Sequence, residues 1–378
     1  MKAVTFQGIK DVRVKDVPDP KIEEKDDIIV KITSSAICGS DLHLIHGMIP
    51  NFPEDYIIGH EPLGIVEETD PDVTKVKKGD RVIIPFTAAC GECWYCTHDL
   101  ESQCDNANAN GEMGGYFGYS HLTGGYPGGQ AEYLRVPYAN FTPFKIPENS
   151  EVKDEELVLL SDAASTAFWS VDNAGVKDGD TVVVLGCGPV GLLAQKFAWL
   201  KGAKRVIAVD YLDYRLQHAK TYNKVETVNF EQHDNTGEYL KELTKGGADV
   251  VIDAVGMDGK MTPMEYLASG LKLQGGAMSA LVIASQAVRK GGTIQVTGVY
   301  GGRYNAFPLG DIFQRNVSLR TGQAPVIHYM PFLYDLVAQE KVTISDIVTH
   351  VLPLDQAEKG YEVFDTRTDN CIKVVLKP

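Results

Sequence analysis

The chain has 378 residues, of which 44% are hydrophobic, and a net charge of −15. That length exceeds one ordinary core and predicts two domains, and the acidic balance disfavours a phosphodiester partner. No stretch approaches the ~18 uninterrupted apolar residues of a membrane span. The start, MKAVTFQGIKDVRVKD, lacks the apolar core of a secretory leader. The expectation is a cytoplasmic protein, neither nucleic-acid-bound nor membrane-bound, whose seven cysteines stay reduced.

The first part of the chain reads as short strands, "DIIVKITSSAI", "GIVEE" and "DRVIIPF", separated by Gly, Pro and Asp. Between them lie two polar clusters. "CGSDLHLIHG" carries Cys38, Ser40, Asp41, His43 and His46, and "GHEPLG" carries His60 and Glu61. Thiol, imidazole and carboxylate together suit a catalytic metal whose fourth position stays open. Each residue alone reads equally well as a buried small group or a satisfied loop histidine, and the spacing is not diagnostic.

Next comes "CGECWYCTHDLESQC", with Cys90, Cys93, Cys96 and Cys104 spaced x2, x2 and x7. Four thiolates can close a tetrahedral shell around one Zn²⁺, a site for folding a lobe rather than for binding substrate. An iron–sulfur cluster is the rival, although the Cys-Pro that continues such runs in ferredoxins is absent. The Gly- and Asn-rich stretch Asp105–Gln130 reads as an ordered irregular loop.

"TVVVLG" is a β-branched run fit for a buried parallel strand. Gly186-x-Gly188-x-x-Gly191 follows at once, with Pro189 and Val190 inside the motif. A helical pattern with Leu192, Leu193, Phe197 and Leu200 on or near one face then closes at Gly202, and "RVIAV" ends at Asp210. Such a βαβ unit places a pyrophosphate on the helix N-terminus. Asp210, nineteen residues past Gly191, would accept bonds from adenosine ribose hydroxyls and repel a 2′-phosphate, which favours NAD over NADP. "ADVVIDAVG" and "GTIQVTGVYGG" read as further buried strands of a doubly wound parallel sheet.

Taken together, "CGSDLH", "GHEPLG", the four-cysteine run, "GGQAEYLRVPYA", "LSDAASTAFWS", "LGCGPVG", "DAVG" and "RTGQAPVIHY" resemble the zinc-dependent medium-chain alcohol dehydrogenases. Within that family the chain is most similar to the glutathione-independent formaldehyde dehydrogenase branch. The resemblance implies an α/β protein: a GroES-like β-rich catalytic domain over 1–155 and 323–378, carrying the zinc lobe at 90–104, and a Rossmann domain over 156–322. It implies two zinc ions per subunit. Cys38, His60 and Asp162 would hold the catalytic one, with Glu61 a transient ligand, and Cys90, Cys93, Cys96 and Cys104 the structural one. Asp162 comes from "LSDAAST", where many relatives carry cysteine. Ser40 and His43 match a proton relay. Thr166, Arg215, Gly298, Val299 and Gln323 join the glycine turn and Asp210 as NAD contacts.

The long segment over 257–292 resembles the branch's insertion, which covers the cofactor's adenine end. The implied reaction is hydride transfer between NAD and a primary alcohol or hydrated aldehyde such as formaldehyde, with dismutation if NADH stays bound. A polyol, secondary-alcohol or threonine-type dehydrogenase is the alternative, and a non-catalytic protein retaining the fold a remote one. The partners implied are a small-molecule substrate and copies of the same chain, a homo-tetramer or a dimer.

Overall fold

The computed structural model describes residues 1–109, 111–259, 277–301, 304 and 307–378. The chain forms two units, Met1–Ser165 with Ala324–Pro378, and Thr166–Gln323. Of the segment compared with the insertion, 260–276 lie outside the described residues. Among the described residues no helix is long and apolar enough to cross a membrane.

The first unit is built around strand Ile28–Ile37. Of its ten residues only Lys31 is exposed, as expected of a central strand covered on both faces over most of its length. Strand Glu61–Thr69 pairs antiparallel on one side, with Ala36 opposite Glu61. Strand Lys373–Lys377 pairs antiparallel on the other, with Ile37 opposite Val374. Arg81–Ile83 and Phe144–Lys145 extend the sheet at one edge and Val348–Pro353 at the other, while Tyr133–Val136 pairs with the central strand off this path. A separate sheet joins Asp11–Asp16, Lys2–Gly8 and Tyr56–Ile57.

The strand expected over "DRVIIPF" is shorter than read, Arg81–Ile83, because Pro85 has no N–H for the ladder. Residues 90–108 hold only three-residue 3₁₀ turns, Cys96–His98, Glu101–Gln103 and Asn106–Asn108. Such a lobe has no regular element with which to bury a core of its own. The Gly- and Asn-rich stretch is mostly irregular, with one short strand, Gly115–Tyr116, paired to Thr87–Ala88.

The second unit is a parallel sheet in the order Glu226–Asn229, Arg205–Asp210, Thr181–Leu185, Ala248–Asp253, Val288–Val296, Ser318–Thr321. Counted in chain order this is 3-2-1-4-5-6, the doubly wound order with its switch point beside the first strand. Val183, Ile207, Val251 and Ile294 form its core, and each such side chain contributes about 1.5–3 kcal/mol by leaving water.

Helix Pro189–Leu200 buries Leu192, Leu193 and Phe197. Leu200, expected on the same face, is 42% exposed because it ends the helix, just before the chain turns away at Gly202. The helix can start this close to the first strand because Gly191 has no side chain. A Cβ there would stand 2.0 Å from the Gly186 carbonyl oxygen. Gly191→Ala is therefore expected to lower unfolding stability by about 1–3 kcal/mol, read as a fall in denaturation midpoint. An unchanged midpoint would show that the turn relaxes at no cost.

Candidate functional site

The central strand of the first unit ends at Ile37, and Cys38 is the next residue. His60 precedes the neighbouring strand, Glu61 begins it, and Lys373 begins the strand on the other side. Three adjacent strands thus deliver four chemically active side chains to one end of the sheet. The fifth, Asp162, comes from a tight bend between the 3₁₀ turn Val158–Ser161 and helix Ala163–Asn173. The Phe86 N–H donates to the Ser161 carbonyl at 3.1 Å and fixes that bend.

One donor atom from each of Cys38, His60, Glu61 and Asp162 lies within 4.8 Å of all the others. The His60 Nε2 to Asp162 Oδ2 distance is 3.1 Å and the Cys38 Sγ to Asp162 Oδ2 distance 3.6 Å. On the far side of the ring, His60 Nδ1 lies 3.1 Å from Asp41 Oδ1. A carboxylate there orients a ligating imidazole. Asp41 is itself held by the Cys38 N–H at 3.0 Å and by Gln130 Nε2 at 3.3 Å. The chain on the other side of His60 is packed by loop 115–130. A Cβ at Gly118 would stand 2.3 Å from the Gly59 carbonyl oxygen, so only glycine lets the loop lie there.

The electrostatics of this cluster call for a cation. Burial, then Asp162 and Glu61, push the Cys38 thiol above its ordinary range. Three acids crowded out of water cannot all ionise unless positive charge joins them. Glu61 Oε2 is buried with no hydrogen-bond partner among the described residues. A divalent ion would relieve the crowding of the thiol and the carboxylates, and the thiol, imidazole and carboxylate set suits zinc.

Ser40 and His43 share the short helix Gly39–Ile45 with Asp41. Ser40 Oγ lies 3.3 Å from both Cys38 Sγ and His60 Nε2, so it faces the donor set. His43 is buried, and its Nδ1 is 3.5 Å from the Tyr119 hydroxyl. His46 is not in the donor set; its Nε2 sits 2.9 Å from Asp365 Oδ1. Lys373 and Tyr119 carry no sequence signal: one is a lysine at the start of a strand, the other a loop tyrosine.

Cys90, Cys93, Cys96 and Cys104 form no disulfide, and their sulfurs lie within 4.8 Å of one another. The Cys90–Cys96 and Cys93–Cys104 Sγ distances are both 3.9 Å. Zn–S bonds of ~2.3 Å give a tetrahedron with edges of about 3.8 Å. The set therefore fits one ion and leaves no room for the several irons of a cluster. Burial raises Cys93, but N–H groups of Cys96 and Asp105 outweigh it and bring the thiol to about 7, while burial pushes Cys104 up to about 11.

In the second unit Gly186 and Gly188 lie in the turn between the first strand and its helix, and Pro189, Val190 and Gly191 open that helix. Asp210 is buried, and its carboxylate accepts the Cys187 N–H at 2.7 Å and the Tyr211 and Leu212 N–H groups at 2.7 and 3.0 Å. The Arg215 guanidinium lies 3.8 Å from where a Gly188 Cβ would be. Gly298 and Val299 pack on Gly256, and Met257 donates to the Val299 carbonyl at 2.9 Å. Asp253 ties these turns together, accepting from Val255 N at 2.9 Å and from the Tyr300 hydroxyl at 2.7 Å. Thr166 and Gln323 stand at the two ends of this unit's chain.

Two family models match the chain: an alcohol dehydrogenase GroES-like domain over residues 24–148 and a zinc-binding dehydrogenase over 189–270. The uncharacterized zinc-type alcohol dehydrogenase-like protein AdhB of Bacillus subtilis (strain 168) is 75% identical, covering 100% of both chains. The glutathione-independent formaldehyde dehydrogenase of the same organism is 34% identical, covering 96% of this chain and 94% of its own. Among solved structures, the alcohol dehydrogenase TADH from Thermus sp. ATN1 matches with a TM-score of 0.84 at 34% identity, covering 100% of this chain and 99% of its own.

Two substitutions separate the donor sets. Asp162→Asn is expected to lower metal content by up to one ion per chain and abolish turnover with the secondary structure intact, measured by elemental analysis and circular dichroism. Full activity would remove Asp162 from the ligands. Cys93→Ser is expected to lose one metal equivalent and to lower the melting temperature; an unchanged metal count would contradict the single-ion lobe.

Proposed function

The chain belongs to the zinc-type alcohol dehydrogenase family, and from that premise we propose an NAD-dependent dehydrogenase acting on a small primary alcohol or hydrated aldehyde, formaldehyde first among them. The observation that carries this reading is the buried set of Cys38, His60, Glu61 and Asp162 around one point. Similarity to a glutathione-independent formaldehyde dehydrogenase over nearly the whole chain supports the substrate.

Cys38, His60 and Asp162 are the residues that would hold a catalytic zinc, and Cys90, Cys93, Cys96 and Cys104 a structural one. When bound, the zinc supplies a Lewis acid for the substrate oxygen and NAD the hydride acceptor. The protein's own work is to position and to move a proton. Asp41 holds the His60 ring in one orientation. Ser40 Oγ, facing the donor set, accepts the substrate's hydroxyl proton. His43, three residues further along the same helix, takes it onward.

For the dinucleotide, the turn Gly186–Gly191 receives the pyrophosphate. Asp210 already accepts three backbone N–H groups, which keeps its carboxylate aimed; it accepts ribose hydroxyls and repels a 2′-phosphate. Family resemblance supports a homo-tetramer, or a dimer.

The test uses ¹³C-formaldehyde and zinc-replete protein without glutathione, followed by NMR with and without added NAD. Formate is the expected product with NAD. Matching formate and methanol without added NAD would show retained cofactor and dismutation. No turnover of formaldehyde, with turnover of a larger alcohol or polyol, would contradict the substrate assignment.

A further inference from the structure

Lys373 Nζ lies 2.6 Å from Glu61 Oε1, and both side chains are 0% exposed. A fully buried lysine is rare and must have a charge partner. Here the partner is itself one of the four grouped donors, 312 residues away in sequence.

The charges around this point sum in a particular way. Leaving aside Asp41, which faces the far side of the His60 ring, a divalent ion with its three ligands, the Cys38 thiolate, the Asp162 carboxylate and neutral His60, is already neutral. Glu61 adds one negative charge that the ion does not need, and Lys373 cancels it. One Glu61 oxygen is tied to the lysine and the other has no hydrogen-bond partner among the described residues. Without Lys373 the carboxylate would be buried and uncompensated, with a dication the nearest available partner.

Resting on the zinc reading of this donor set, we propose that Lys373 is a positioning residue that holds Glu61 off the metal and so keeps one coordination position open for substrate. A three-ligand set with an open position is catalytic, whereas four protein ligands make a closed, structural site. The lysine therefore decides which of the two this cluster is. Simple stapling of two strands predicts something different: its loss would lower stability and leave coordination unchanged.

The test replaces zinc with cobalt(II) in the full chain and follows the visible d–d bands as imidazole, a one-atom ligand, is added. In the wild type imidazole occupies the open position and shifts the bands. Lys373→Met is expected to abolish that shift and to slow removal of the ion by a chelator about tenfold or more, the scale on which neighbouring groups tune metal affinity. The double variant Glu61→Gln with Lys373→Met removes both charges and is expected to regain the imidazole shift, with chelator release within about twofold of wild type.

A wild-type imidazole response in Lys373→Met would overturn the proposal. Should that variant fail to fold, the double variant decides: wild-type behaviour supports Lys373, whereas release accelerated about tenfold makes Glu61 a resident ligand and overturns it. A wild-type chain that binds no cobalt at this donor set overturns the metal reading beneath it.

Discussion

Acidic groups taken out of water must be neutralised, and the first unit is organised around that requirement. Cys38, Glu61 and Asp162 converge within 4.8 Å of one another and of His60. Burial and the neighbouring Asp162 and Glu61 push the Cys38 thiol upward. Lys373 compensates one negative charge, and a divalent ion would match the remaining two. The same need, expressed in thiolates, organises residues 90–104, where irregular turns with no core bring four sulfurs to tetrahedral spacing.

The fold supplies the convergence through register. Pairing Ala36 with Glu61 and Ile37 with Val374 puts Cys38, His60–Glu61 and Lys373 at one end of three neighbouring strands. A slip of one residue would turn every one of those side chains to the opposite face. Register is pinned by Ile28, Val30 and Ile32, buried in one core cluster, and Ile37, buried in another, so packing in the sheet and chemistry at its end are the same constraint. In the second unit the corresponding device is the switch point of a 3-2-1-4-5-6 sheet, where the glycine turn, Asp210, and the turns tied by Asp253 meet at the strand ends.

Local chemistry was readable in the sequence where the residues lie close together. Four cysteines in fifteen residues, or a glycine turn framed by a β-branched run and an acid, carry their meaning in a short window. Asp162 could be named only through resemblance, because its partners are 102 and 124 residues away. Lys373 could not be read at all. It looks like an ordinary polar residue beginning a strand, and only the pairing of the last strand with Ile28–Ile37 buries it beside Glu61. Pro85 shortens a strand that periodicity alone extends, and Leu200 is exposed where a helical wheel buries it. In both cases an element ends sooner than the pattern that signals it.

The central claim is that each of two side-chain clusters in the first unit holds one metal ion. Crystals of the zinc-replete protein, measured on either side of the zinc absorption edge, test it directly. The account predicts two anomalous peaks per chain, one enclosed by Cys90, Cys93, Cys96 and Cys104, and one bound by Cys38, His60 and Asp162 with Glu61 turned to Lys373. A single peak, or a second peak away from Cys38, His60 and Asp162, would contradict it.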